Sequence, residues 1–371
     1  MIKVMHVITD SNIGGAGHQV LALLGEGGLN REEFDVEVVL PLNARLTSAM
    51  EAQGIKCIEL PHLAERSLSA KAISILLARM KISHPQIVHT HAAMSARIAA
   101  RMYGKCRIIH TRHSVFEPAE WQKKFPFRQI FGAINNHLSD AIIAVSPAAK
   151  LNLTALGTSE EKIHVIFNGM PQVKEFSKEE RAVLRRKYNV PNDAFVLAQI
   201  ARLTNVKGQD DVLTAAKKLP QNIKILMAGD GELRPHLEAR IKNENIQNVQ
   251  LLGFIDAVEE ILAIMDVQIS ASFGTEATSL ALVQGMSISK PAVATEYGGN
   301  PYVIQFGEGG LLVPPRNPSE LARTIMRLYD DTALYDSVSL GARQIYLRCF
   351  TLDGMVNSTA ELYRKLGALI C

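Results

Sequence analysis

Two successive series of short apolar runs, with a helical pattern between each run and the next, constrain this chain more than any other feature. The first series reads Lys3–Thr9, Asp35–Leu40, Lys56–Leu60, Ile87–Thr90, Arg107–Thr111 and Ala141–Val145, with helical stretches such as Gln19–Leu24, Ala70–Lys81 and Ala92–Tyr103 between them. Strands that alternate with helices make parallel sheets covered on both faces. A turn signal follows at Asn168-Gly169-Met170-Pro171, where Gly and Pro adjoin a polar residue. A charged helix, Lys178–Tyr188, then opens a second series: Phe195–Ile200, Lys224–Ala228, Val249–Leu252, Val267–Ala271, Ala292–Thr295 and Gly310–Val313. The fold class expected is α/β, with two Rossmann-like doubly wound domains facing one another across a cleft. The chain closes on Met355–Leu369, with apolar residues at helical spacing.

Length agrees with this division, since 371 residues exceed a single core of usual size. A net charge of +3 is too small to argue for nucleic acid. The four cysteines lack metal-ligand spacing and read as reduced thiols. The N-terminus enters a strand at once, and no run of 18 apolar residues occurs. The expectation is a cytoplasmic protein that does not span a membrane.

Open parallel sheets bind ligands at the carboxyl ends of their strands, so the residues just past each strand carry the argument. The first strand ends in Asp10-Ser11-Asn12-Ile13-Gly14-Gly15-Ala16-Gly17-His18. Gly14 and Gly15 let backbone approach a ligand, and the helix that follows favours an anion; small residues at a tight turn are equally common without one. Histidines cluster after strands four and five: His89 and His91, then His110 and His113. A metal site is not expected, because no carboxylate or thiol accompanies them.

The second series is richer. Arg202 and Lys207 follow its first strand, where a forked guanidinium and a point charge suit phosphate oxygens better than a surface ion pair does. After the third strand, Phe254, Ile255 and Asp256 offer an open backbone and an apolar side chain to a planar base. Past the fourth, Glu276 precedes a helix expected to start near Thr278 or Ser279, good N-caps with free N–H groups for phosphate. Glu276 suits sugar hydroxyls; the plainer alternative is an acid facing the helix dipole.

Together these residues resemble the family 4 glycosyltransferases of the GT-B fold, over essentially the whole chain and most specifically from Arg202 through Pro314. The resemblance implies that residues 1–170 with a returning C-terminal helix at 351–371 form an acceptor-side domain, and that 171–350 bind a nucleoside-diphosphate sugar. It implies that Arg202 and Lys207 hold the leaving diphosphate and that Glu276 contacts donor-sugar hydroxyls. The backbone of Thr278, Ser279 and Leu280 would cap phosphate and sugar, and the base would lie against Phe254, Ile255 and Asp256. Gly14 and Gly15 would approach the diphosphate. His113 matches a histidine beside the reacting sugar, and His91 a second site histidine. The implied reaction retains anomeric configuration and uses neither metal nor cofactor, in keeping with the lack of an Asp-x-Asp motif. The implied donor is UDP-linked.

Three departures stand out. The family's second Glu, on the ribose, is Gln284 here; Gly17-His18 replaces Glu-Arg, and Pro301-Tyr302 replaces Pro-Glu. Gln keeps a carbonyl acceptor and loses only the charge-assisted part, roughly 1 kcal/mol or about five-fold in binding. Residues 97–137 are basic with interleaved aromatics, among them Arg101, Arg107, Arg112, Trp121, Lys124, Phe125, Phe127 and Arg128. Such a stretch suits an anionic membrane face, and equally an ordinary solvated helix. The expected acceptor is a glycan or lipid-linked sugar of bacterial surface polysaccharide or lipopolysaccharide synthesis; nucleic acid is not expected. Two other functions fit the same fold: a non-catalytic nucleotide- or glycan-binding subunit, which Gln284 would favour, and a nucleotide-sugar epimerase.

Overall fold

The computed structural model describes residues 1–11, 14–63, 68–91 and 93–369. The chain divides into two compact units, Met1–Met170 with Thr351–Cys371, and Pro171–Phe350. Each is built on one parallel sheet.

The first sheet holds β1 (Ile2–Ile8), β2 (Phe34–Pro41), β3 (Lys56–Leu60), β4 (Ile87–His91), β5 (Arg107–Arg112), β6 (Ala141–Ala144) and β7 (Ile163–Val165), in the order β3-β2-β1-β4-β5-β6-β7. Strand order reverses direction between β1 and β4, which makes that gap the topological switch point. Strand β7 was not expected; three residues are too short for a pattern to show, and β6 supplies its pairing. Helix Met94–Tyr103 follows β4; Ala92, its expected start, lies outside the described residues, as do Asn12 and Ile13 of the first turn.

One face of this sheet is covered partly by the C-terminal segment. Helix Leu352–Gly367 starts where the Thr351 hydroxyl accepts from the Gly354 amide at 3.2 Å. It buries Met355, Leu362, Tyr363 and Leu366 with Val4, Ile8, Phe34 and Ile109. Gly169 explains the turn signal: a Cβ there would lie 2.2 Å from the Thr351 carbonyl oxygen, so only glycine lets the two segments meet.

The second sheet holds β8 (Phe195–Ile200), β9 (Ile223–Ala228), β10 (Val249–Gly253), β11 (Val267–Ser270), β12 (Ala292–Thr295) and β13 (Gly310–Val313), ordered β10-β9-β8-β11-β12-β13. Its switch point lies between β8 and β11. Helix Lys178–Lys187 opens the unit with a reciprocal cap, Ser177 and Glu180 each bonding the other's backbone amide, which satisfies two amides the helix leaves unpaired. Both expected parallel, doubly wound domains are present.

Candidate active site

At the second switch point, Lys207 follows β8 and Glu276 follows β11. Their side chains meet, Lys207 Nζ to Glu276 Oε2 at 2.5 Å. Ser272 Oγ donates to the same oxygen at 3.0 Å. Glu276 is buried, and a buried carboxylate is costly without such partners. The local fold explains the meeting. Thr275 takes φ +53°, rare for a β-branched residue, at the turn that leads into Glu276. The Glu276 carbonyl accepts from the Gly299 amide at 3.0 Å, and a Cβ on Gly298 would lie 2.1 Å from that oxygen. Gln199 Nε2 donates to the Lys207 carbonyl at 2.7 Å, and Gln209 Nε2 to that of Arg202 at 2.9 Å, so side chains from β8 and the following helix pin the loop.

Arg202 is exposed, and among the described residues nothing pairs with its guanidinium. Phe254 is 72% exposed. Ile255 is half-buried and Asp256 exposed. The helix after Glu276 runs Leu280–Met286 with Ser279 at its N-cap, but the Ser279 hydroxyl makes no capping bond. Ser279 therefore supplies no side-chain cap. Thr278, Ser279 and Leu280 are all half-buried, as is Gln284 within that helix.

At the first switch point the structure corrects the placing of the histidines. His89 and His91 lie within β4 and His110 within β5, not beyond them; only His113 lies past its strand. Since side chains alternate across a strand, His89 and His91 share a face. His6 of β1 pairs in register with His89 and joins them, and Tyr363 reaches the group from the C-terminal helix. His91 Nδ1 and His113 Nε2 lie 2.8 Å apart. Burial holds His6 down at about 3 and His113 at about 4, and pushes His89 and His91 well below the usual imidazole range; it raises Tyr363 well above the usual phenol range. All are neutral near pH 7. His6 and Tyr363 were not expected in this cluster: strand register sets His6 beside His89 and a returning helix brings in Tyr363, and neither is readable from one sequence. The His89-Thr90-His91 alternation was the available signal.

Gly14 caps helix Gly15–Leu24. A Cβ on Gly15 would meet nothing within 4 Å, so packing within the chain does not demand glycine there. A concavity of about 370 Å³ lined by Lys3, Glu37, Lys56 and Arg79 sits near the amino ends of β1, β2 and β3, away from either switch point.

Comparison with known proteins bears on both domains. Residues 180–345 match the family model described as glycosyl transferases group 1, and residues 13–172 match that described as glycosyltransferase family 4. The chain belongs to the group 1 glycosyltransferases. It is 24% identical over 380 residues to UDP-Gal:alpha-D-GlcNAc-diphosphoundecaprenol alpha-1,3-galactosyltransferase of Escherichia coli, covering 98% of this chain and 96% of that one. An uncharacterized glycosyltransferase of Methanocaldococcus jannaschii is 23% identical, with 91% of each chain covered. Among solved structures, Anabaena HepE in complex with UDP superposes with a TM-score of 0.86 at 20% identity, covering 98% of this chain and all of that one. The protein is thus a GT-B glycosyltransferase, a transferase enzyme.

The basic stretch of this glycosyltransferase is narrower on the surface than its sequence implies. Arg97 is buried and bonds Asn135, Arg101 and Arg107 face Asp140, and Arg112 bonds Asn152 while lying over the Phe116 ring. These arginines tie the domain together. What faces solvent is the segment 121–134, where Trp121, Phe125, Phe127, Ile130 and Ile134 are exposed beside Lys124 and Arg128. No helix among the described residues is long and apolar enough to cross a membrane.

Proposed function

We propose that this glycosyltransferase moves a sugar from a UDP-linked donor to a glycan or lipid-linked acceptor, with retention of anomeric configuration and without a metal ion. The Lys207–Glu276 pair at the second sheet's switch point carries the reading, with Arg202, unpaired among the described residues, on the same loop as Lys207. Breaking the bond between the anomeric carbon and the diphosphate leaves positive charge on the sugar and negative charge on the leaving group. Arg202 and Lys207 supply cations for that negative charge. Glu276 offers its second carboxylate oxygen to sugar hydroxyls, with the backbone of Thr278, Ser279 and Leu280 at the same ligand. Gln284 takes the ribose, and Phe254, Ile255 and Asp256 take the base. On the first domain, Gly14 and Gly15 approach the diphosphate, and His113, with His91 behind it, contacts the reacting sugar. The acceptor hydroxyl attacks the face the diphosphate leaves, and its proton passes to the departing phosphate oxygen. UDP is favoured because HepE was solved with UDP and the E. coli relative is named for a UDP sugar. The test is a panel of UDP- and GDP-sugars scored for transfer and donor hydrolysis. Turnover of a UDP-sugar is expected; turnover of GDP-sugars alone would overturn the donor assignment.

The acceptor reading rests on the exposed apolar segment. Helix Phe127–His137 carries Phe127, Ile130 and Ile134 on one exposed stripe, while its Gly132 lies against the Gly157 carbonyl, where a Cβ would come within 2.1 Å. The helix thus turns a small residue to the protein and its apolar stripe to solvent, the reverse of the usual arrangement. Phe125, 82% exposed, adds to the stripe. Such a face with Lys124 and Arg128 suits the anionic inner surface of a membrane, where lipid-linked sugars of surface polysaccharide synthesis are found. Trp121 is the only tryptophan, so its emission should shift to the blue with phosphatidylglycerol vesicles and not with phosphatidylcholine. Phe125→Ser with Ile130→Ser should weaken cosedimentation at least ten-fold. Equal cosedimentation of the wild type and this double variant would remove the membrane role of the segment.

A further inference from the structure

Around the first switch point, six side chains form one line of five hydrogen bonds. Thr111 Oγ1 lies 2.6 Å from His89 Nε2, and His89 Nδ1 lies 2.6 Å from the Tyr363 hydroxyl. That hydroxyl is 3.0 Å from His6 Nε2, His6 Nδ1 is 3.1 Å from His91 Nε2, and His91 Nδ1 is 2.8 Å from His113 Nε2. The rings stack as well, His89 on His91 at 4.4 Å and His91 on His113 at 5.1 Å between centroids.

Proton counting restricts this line severely. A neutral imidazole carries one N–H, and a hydroxyl one O–H. Each link needs one hydrogen, so every member donates in the same sense along the line unless the Tyr363 hydroxyl accepts from both of its rings and keeps its own hydrogen spare. In one sense Thr111 donates to His89, His89 to Tyr363, Tyr363 to His6, His6 to His91, and His91 to His113. All four histidines are then Nδ1–H tautomers, and the spare hydrogen is on His113 Nδ1. In the other sense His113 begins the line, and the spare hydrogen is that of Thr111. Among the described residues Thr111 Oγ1 has no acceptor besides His89, and Tyr363 has none besides the two rings. His113 Nδ1 is shielded from solvent without a partner in either sense; the first sense leaves that one group unpaired, whereas the second leaves the Thr111 hydrogen unpaired as well.

We propose that this line is a relay that fixes His113 as the Nδ1–H tautomer, so that it meets an oxygen of the sugar donor as a hydrogen-bond donor, with Thr111, His89, Tyr363, His6 and His91 as positioning residues. The ligand named here rests on the function proposed above; the relay itself does not. The cluster His6, His89 and His91 has ring nitrogens close enough to hold a metal ion, within 4.8 Å of one another. A cation there would take lone pairs that the relay uses, with no carboxylate in the cluster to balance its charge.

The test uses the full chain labelled with 15N-histidine, whose two-bond nitrogen–proton correlations distinguish the two neutral tautomers. Wild-type His113, assigned with a His113→Ala variant, should be the Nδ1–H form. Tyr363→Phe should release it to a mixture of both forms; Thr111→Val should do the same, and Thr111→Ser should restore the Nδ1–H form. Thr111→Val serves alone should Tyr363→Phe fail to fold. A wild-type Nε2–H tautomer, or a His113 unmoved in every folded variant, would overturn the relay. So would one equivalent of zinc retained through purification and lost in His6→Ala. If the tautomer moves as stated but His113→Ala transfers sugar at the wild-type rate, the relay stands and the contact of His113 with donor sugar falls.

Discussion

The two sheets place their notable residues at the same topological position and equip it in opposite ways. Between β1 and β4 the first domain gathers His6, His89 and His91, with His113 and Tyr363 hydrogen-bonded to them and every group neutral. Between β8 and β11 the second domain sets a lysine against a carboxylate, with Arg202, unpaired among the described residues, on the same loop. Burial explains both. A titratable group removed from water must either give up its charge or find a partner for it. The imidazoles give theirs up, while the Glu276 carboxylate is paired with Lys207 and Ser272. The division suits the proposed reaction. A diphosphate brings negative charge and calls for cations; sugar hydroxyls are neutral and call for donors and acceptors of fixed sense.

The largest expected effect breaks the charged half. Lys207→Met should lower transfer by about 10²–10³-fold and destabilise the second domain by about 1–3 kcal/mol, because Glu276 is left with Ser272 alone. Adding Glu276→Gln removes the stranded charge. Urea unfolding of the double variant should therefore recover much of the lost stability, while transfer stays down. Recovery of transfer along with stability would make the pair structural and remove it from the site.

The neutral half should instead be sensitive to acid. His6 and His113 are held at about 3 and about 4, against an ordinary 6.5. Between those values the unfolded chain binds protons that the folded one does not. Stability therefore rises with pH up to about 6.5 and is level above it. The slope approaches about 1.4 kcal/mol per pH unit for each group once pH is well below 6.5, so these two cost about 3 kcal/mol between pH 6.5 and 5. His89 and His91 act in the same direction. Urea midpoints followed by Trp121 emission, which reports the first domain through its contacts with Phe127 and Phe131, should fall sharply from pH 7 to 5. An unchanged midpoint would show that the cluster is charged or hydrated in solution.

The same contrast explains what the sequence disclosed. Lys207 and Glu276 were legible because each stands just past a strand, on a loop whose only demand is local. The relay was not, since His6, His89 and Tyr363 meet through strand register and a returning helix, and neither leaves a local pattern. Tyr363 read as one more apolar residue at helical spacing. Arg97 and Arg112 read as surface charge because a sequence cannot show that Asn135 and Asn152 wait for them. The fold itself was legible throughout, apart from β7, since strand–helix alternation is a short-range signal repeated many times.

The smallest effect sharpens the charged half at its edge. Gln284 is the fifth residue of helix Leu280–Met286, half-buried, and its side-chain amide has no partner among the described residues. An unpartnered amide in a buried setting would be costly; at the rim of a site it is free to take a ligand hydroxyl. Gln284→Glu adds a charge-assisted hydrogen bond to the ribose, roughly 1 kcal/mol, so UDP should bind about five-fold more tightly by calorimetry. The new carboxylate also sits in the C-terminal half of its helix, where the dipole opposes it by about 0.3–1 kcal/mol. Tighter UDP together with a slightly lower urea midpoint is thus the expected pair of results. An unchanged or weaker UDP affinity would move the ribose elsewhere and leave Gln284 a helix residue only.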